Sequence, residues 1–166
     1  MCEDLSRRRF GALALGAAGF AAIPLRASAG AVTALGLTCI DYRLVDDGVA
    51  FFDKMGLEGD WDQVALAGAS LAAVSSAFPA SNAAFWSHVD IAKTLHHIRR
   101  VIVLDHRDCG AYKVAFGKHY QGERKAETAQ HRGVMLKMRA ALKAKHPDLA
   151  SEFYLMALDG VAERVL

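Results

Sequence analysis

Two apolar runs in this chain stop at side chains that bind soft metal ions, and that pairing limits the folds open to it. Ala31 to Thr38 reads as a buried strand and ends at Cys39. Arg100 to Asp105, with Val101, Ile102, Val103 and Leu104 continuous, is the clearest buried strand in the sequence, and His106 follows it at once. Cys109 stands three residues beyond His106, a separation typical of metal ligands. Cys39 and His106 are 67 positions apart, so folding must bring two strand ends together to make one site. Parallel α/β sheets do this where the chain reverses its direction of crossover and leaves a crevice between neighbouring strand ends.

The elements between these runs alternate as such a sheet requires. Val45, Val49, Phe52 and Met55 recur at helical spacing between Leu44 and Met55, and Gln63 to Ala67 reads as a short strand. Ala72 to Asn82 is small and polar around Pro79, a loop or short helix, and Ser81 or Asn82 is the expected N-cap of a helix carrying Phe85, Val89, Ala92, Leu95 and Ile98. Thr128 to Lys145 is another helix, with Val134, Met138 and Leu142 on its apolar side and Lys137, Lys143 and Lys145 on a solvated one. Glu152 to Leu158 is the last strand, followed by an Asp159-Gly160 turn. The expected fold class is α/β, a mostly parallel sheet of about four to five strands flanked by helices.

The N-terminus reads as an export signal. Ser6-Arg7-Arg8-Arg9-Phe10 precedes a weakly apolar Gly/Ala-rich run from Gly11 to Leu25 and the small-residue site Ala27-Ser28-Ala29. That run is about 15 residues, short of the roughly 20 needed to span a bilayer. The expected organisation is a twin-arginine signal over 1–29 and one domain over 30–166, placed in the periplasm or otherwise exported. Of the 20 basic and 18 acidic residues, four arginines and two acids fall within the signal, so the remainder is electrically neutral. A neutral domain carries no electrostatic footprint for nucleic acid or anionic lipid, and no stable membrane span is expected after cleavage.

Cys39 and Cys109 are the two cysteines left beyond that signal, and an oxidising compartment raises the alternative of a disulfide between them. His106, at ligand spacing from Cys109, favours a metal, since two thiolates and one imidazole leave one vertex of tetrahedral Zn²⁺ open.

Cys39-x-Asp41-x-Arg43 and His106-x-x-Cys109-Gly110, each after an apolar strand, resemble the paired motifs of the β-class carbonic anhydrases. The likeness runs from about Val32 to the final strand. It implies Cys39, His106 and Cys109 as zinc ligands, with Asp41 and Arg43 as a catalytic carboxylate–guanidinium dyad. It further implies reversible hydration of CO₂ to bicarbonate by zinc-bound hydroxide, and a homodimer or larger assembly. In the family's resting form the Asp swings onto the metal, which makes Arg43 its latch. Two related readings keep the ion: hydrolysis of carbonyl sulfide or carbon disulfide, and a non-catalytic zinc domain with Asp41 as a permanent fourth ligand.

The chain departs from the family pattern at Tyr42, where a small Ser is usual, a change that predicts a bulkier rim. It departs again at Leu66 to Ser70, which replaces a more polar segment, and at Asp105, where Gly usually precedes the His. His96-His97 reads as one exposed and one half-buried residue, and His119 and His131 as surface residues. Gly68-Ala69-Ser70 reads as a tight turn near the pocket, and Trp61, Trp86, Phe51 and Phe52 as core or subunit-contact aromatics.

Overall fold

Alternation along the strands decides which side of the sheet each side chain covers, and here both sides are apolar. The structure, a computed structural model, describes residues 30–120 and 122–166; the expected signal segment lies outside them. The elements in chain order are β1 (Ala34–Thr38), a 3-10 turn (Tyr42–Leu44), α1 (Val45–Lys54), β2 (Trp61–Ala65), α2 (Ser70–Val74), α3 (Pro79–His96), β3 (Arg100–His106), α4 (Gly110–Phe116), α5 (Arg124–Lys145), β4 (Ala150–Met156) and β5 (Ala162–Arg164). The sheet order is β2-β1-β3-β4-β5, with the first four strands parallel and β5 antiparallel to β4.

Leu35, Leu37, Val101, Val103, Phe153 and Leu155 pack on Phe85 and Val89 of α3 and on Met135, Met138 and Leu142 of α5. The intervening residues Ala34 and Ile102 meet Phe52 and Leu57, while Leu104 and Met156 meet Leu44. Burial on both faces explains why β1 and β3 read as unbroken apolar runs.

Several local expectations shift. β2 begins two residues earlier, at Trp61, whose ring stacks on Phe52 at 3.8 Å. The segment after β2 contains the short helix α2, and α3 starts at Pro79 rather than at a Ser81 or Asn82 cap. Proline suits the first helical position because its missing N–H would have no partner there. Asn82 lies inside the first turn, and its side-chain amide donates to the Ala73 carbonyl. Val45 and Val49, read from periodicity as part of a buried face, are exposed on α1, where Phe52 alone of the four expected apolar positions is buried. Leu95 of α3 is likewise exposed. The helix α4 and the strand β5 were not expected at all; one has seven residues and the other three, too few for periodicity to register.

Gly36 faces the Phe52–Trp61 stack, where a Cβ would fall 2.5 Å from Trp61 Cε3 and 2.6 Å from Phe52 Cζ. Gly36→Ala must therefore push the stack off the sheet. A loss of about 1–3 kcal/mol is expected, read from urea unfolding followed by tryptophan fluorescence; an unchanged midpoint would contradict this packing.

Candidate metal centre

Cys39 leaves the end of β1 and His106 is the last residue of β3, strands paired in parallel with Thr38 opposite Leu104. From β1 the chain runs to β2 on one side, then crosses to β3 on the other, so the two residues flank a topological switch point. Cys109 caps the start of α4, three residues on. One donor atom from each of the three residues lies within 4.8 Å of the others. The sulfurs are free thiols 3.9 Å apart. Two sulfurs at about 2.3 Å from one tetrahedral ion stand about 3.8 Å apart, whereas a disulfide needs about 2.05 Å.

His106 Nδ1 lies 2.8 Å from the Arg107 carbonyl, which accepts its proton and leaves Nε2 as the lone-pair nitrogen. That Nε2 is buried and has no hydrogen-bond partner. An unpartnered buried acceptor beside two thiols is the donor chemistry of a zinc site, so the residues fit the ion. The Cys109 thiol bonding to Cys39 lowers the latter to about 4, against the effect of burial, and His106 and the Gly68 N–H, 3.3 Å from the sulfur, lower it further. The same contact and burial push Cys109 up. Burial opposes a charged His106, but Cys39 and Asp41 together raise it.

Beside this cluster Arg43 grips Asp41 through Nε to Oδ1 at 2.9 Å and Nη2 to Oδ2 at 2.8 Å, and its backbone N–H adds a bond of 3.1 Å. The guanidinium chiefly holds the Asp41 carboxyl down to about 2. Asp41 Oδ2 stands 3.7 Å from His106 Nε2, so the carboxylate faces the region the ring nitrogen addresses. Arg43 also reaches Asp108 Oδ2 at 3.1 Å, and His119 Nε2 lies 2.8 Å from the other oxygen of Asp108. All five expected site residues are therefore gathered in one place. Tyr42, expected to make the rim bulkier, is 85% exposed, and the residues walling the cavity beside Cys39 do not include it.

The ligand loop is fastened from behind. Arg107 is buried and donates to Glu127, Thr128 and Glu163, and Glu127 also accepts the Asp108 N–H. Asp105 is buried too, accepting from the Ser70 N–H and hydroxyl, the Tyr112 hydroxyl and His131 Nδ1. His131 is thus a buried residue, contrary to the surface expectation. The signal was present, since His131 shares a helical face with Val134, Met138 and Leu142. His96 is half-buried against Asp62 at the start of β2, at the opposite end of the strands from Cys39, and His97 is exposed.

A cavity of about 380 Å³ adjoins Cys39, walled by Ile40, Leu44, Val45 and Ala65, with Thr38 and Gln63 as its polar side chains.

A family model described as "Putative carbonic anhydrase" matches residues 29–139. An uncharacterised protein of Rickettsia conorii is 36% identical over 129 residues, covering 78% of this chain and 69% of its own. One from Rickettsia bellii is 37% identical, covering 78% and 79%. Among solved structures, the carbonic anhydrase of Streptococcus mutans superposes with a TM-score of 0.57 at 19% identity over 83% of this chain and 84% of that one. A β-carbonic anhydrase of Trichomonas vaginalis gives 0.53 at 13% identity, over 82% and 84%. These two similarities describe the fold.

Because Arg43 lowers Asp41, the pair adds stability above the ordinary carboxylate value near pH 4, and this is lost as pH falls toward about 2. Arg43→Met should return the Asp41 carboxyl toward its ordinary range, seen by carbon NMR titration of that carboxyl. An unmoved midpoint would mean Arg43 does not hold it.

Proposed function

This chain belongs to the putative carbonic anhydrase family, and we propose that it is a zinc-dependent lyase that interconverts CO₂ and bicarbonate. The reading is carried by one observation: Cys39, His106 and Cys109 converge around an unpartnered ring nitrogen at the switch point, with the Asp41–Arg43 pair alongside. Zinc held there supplies a Lewis acid that makes water nucleophilic near neutral pH. Cys39 and Cys109 would hold it as thiolates and His106 through Nε2.

Asp41 serves as the hydrogen-bond acceptor that orients the attacking water. Its carboxylate stands 3.7 Å from His106 Nε2, beside where the ion would be held, and Arg43 keeps it ionised there. Arg43 is itself fixed by Asp108, so the acceptor is positioned before substrate arrives. A substrate entering beside Cys39 meets the apolar wall of Ile40, Leu44 and Val45, which desolvates a small neutral molecule at little cost.

That same wall favours a second substrate class, carbonyl sulfide or carbon disulfide, which are also small and uncharged. Assays of CO₂ hydration beside sulfide release separate the two. Asp41 bound permanently to the metal would instead make the domain non-catalytic, and an Asp41 carboxylate oxygen held about 2.0–2.2 Å from the ion at alkaline pH would mark that state.

We propose a homodimer or larger assembly as well. Ile40, Tyr42, Val45 and Val49 are exposed together along the turn and helix that follow Cys39, an apolar stripe suited to a second copy. Among the described residues no helix is long and apolar enough to cross a membrane. The proposed location is outside the cytoplasm, reached by the twin-arginine signal, and replacing Arg7-Arg8-Arg9 with lysines should retain the protein inside the cell.

Purified protein should carry about one zinc per chain and hydrate CO₂. Cys39→Ser or Cys109→Ser should lose the metal and the activity together, and Arg43→Ala should retain zinc while losing about 10–100-fold in rate. Folded protein loaded with zinc that turns over neither CO₂ nor the sulfur analogues would defeat the catalytic reading. Val45→Glu should lower the mass measured by light scattering; an unchanged assembly would move the interface elsewhere.

A further inference from the structure

Behind the ligands lies a buried polar cluster with no place in the reaction as proposed. Asp105 is 1% exposed, yet its carboxylate takes four hydrogen bonds: the Ser70 N–H at 2.9 Å on Oδ1, and the Ser70 hydroxyl at 2.6 Å, the Tyr112 hydroxyl at 2.8 Å and His131 Nδ1 at 2.8 Å on Oδ2. Burying a carboxylate is costly unless it is bonded this fully, so its presence calls for a function. Two of the four bonds go to Ser70, at the turn between β2 and α2.

That turn is strained. Gly68 has φ +86°, and the next residue, Ala69, has φ +42° and ψ −103°, a conformation a residue with a Cβ adopts only when its surroundings force it. Two anchors hold it. Before the turn, the Leu66 N–H donates to the Thr38 carbonyl at 3.0 Å, tying it to the end of β1. After it, Ser70 is fastened twice to Asp105, at the end of β3. Ala111 closes over Gly68, where a Cβ would come within 3.0 Å of the Ala111 Cβ. Between these restraints the Gly68 N–H donates to Cys39 Sγ at 3.3 Å.

We propose that Asp105 and Ser70 are positioning residues that hold the Gly68 N–H on the Cys39 sulfur and so tune the electron donation of that ligand to the metal. The inference rests on the reading of Cys39, His106 and Cys109 as the metal site. A hydrogen bond on a thiolate draws charge away from the sulfur, so the thiolate gives less to its ion and the ion stays a stronger Lewis acid. Two sulfur ligands weaken that acidity, and the strained turn offsets part of the loss. Asp105, adjacent to His106, thereby links the placement of two ligands.

The test uses the metals themselves. In wild-type protein loaded with cadmium-113, the Gly68 amide proton should show scalar coupling to the metal through the N–H···S bond. In Ser70→Ala, cobalt-loaded protein should show its sulfur-to-cobalt charge-transfer band moved to lower energy while both thiolates remain bound, and the cadmium coupling should be lost. If Ser70→Ala does not fold, Asp105→Asn keeps the shape of the side chain and serves for the same two measurements. No Gly68 coupling in the wild type, or an unmoved band and coupling in a folded variant, overturns the proposal. Coupling present without CO₂ turnover overturns the hydration reading alone, and protein that takes up no cadmium overturns both.

Discussion

Parallel pairing of β1 with β3 places Cys39 within reach of His106 and Cys109, and every other feature of the site takes its position from that contact. Two residues 67 positions apart meet because β1 has its onward connection on one side and β3 on the other. The pairing is secured by apolar burial on both faces, Leu35, Leu37, Val101 and Val103 against α3 and α5, and Ala34 and Ile102 against Phe52. A packed sheet gives these three residues rigid supports, and their donor atoms lie within 4.8 Å of one another.

The strand ends and their ligands were legible because they combine two strong local signals, an unbroken apolar run and residue types seldom placed side by side without chemical purpose. Asp41 and Arg43 were read through the resemblance of Cys39-x-Asp41-x-Arg43 to the family's motif, not through the apolar pattern. The short helix α4 and the three-residue strand β5 were not legible. Gly110–Phe116 spans less than two helical turns, and Ala162–Arg164 is ordered by its pairing with β4, which a local pattern does not encode. Val45 and Val49 show the converse, since their helical spacing is real but the face they form is exposed in a single chain. Periodicity reports that a face is apolar, not what covers it.

Asp105 marks the boundary of this reading most sharply. In sequence it is a charged residue closing an apolar strand, next to a ligand, where a glycine would be the simpler choice. Its partners come from α2, α4 and α5, segments whose convergence depends on the whole fold. His131 belongs to the same set and carried a visible helical register with Val134 and Met138, so burial was readable while its partner was not.

Charge balance ties these parts together. Two thiolates would neutralise a divalent ion, leaving it a weaker acid than one held by imidazoles, and of the surrounding bonds the one on Cys39 opposes that weakening. The Gly68 N–H draws charge from Cys39, while the Arg107 carbonyl fixes the tautomer of His106 and Arg43 keeps Asp41 ionised 3.7 Å from His106 Nε2. Arg43 is shared with Asp108, and Asp108 is tied through its N–H to Glu127, which also holds Arg107. The acceptor and two of the ligands thus hang on one continuous set of bonds running from the mouth of the site to α5. A change at Glu127 would therefore be felt at Cys39, His106 and Cys109, because the loop from His106 to Cys109 is fastened to it through the Asp108 N–H and the Arg107 side chain.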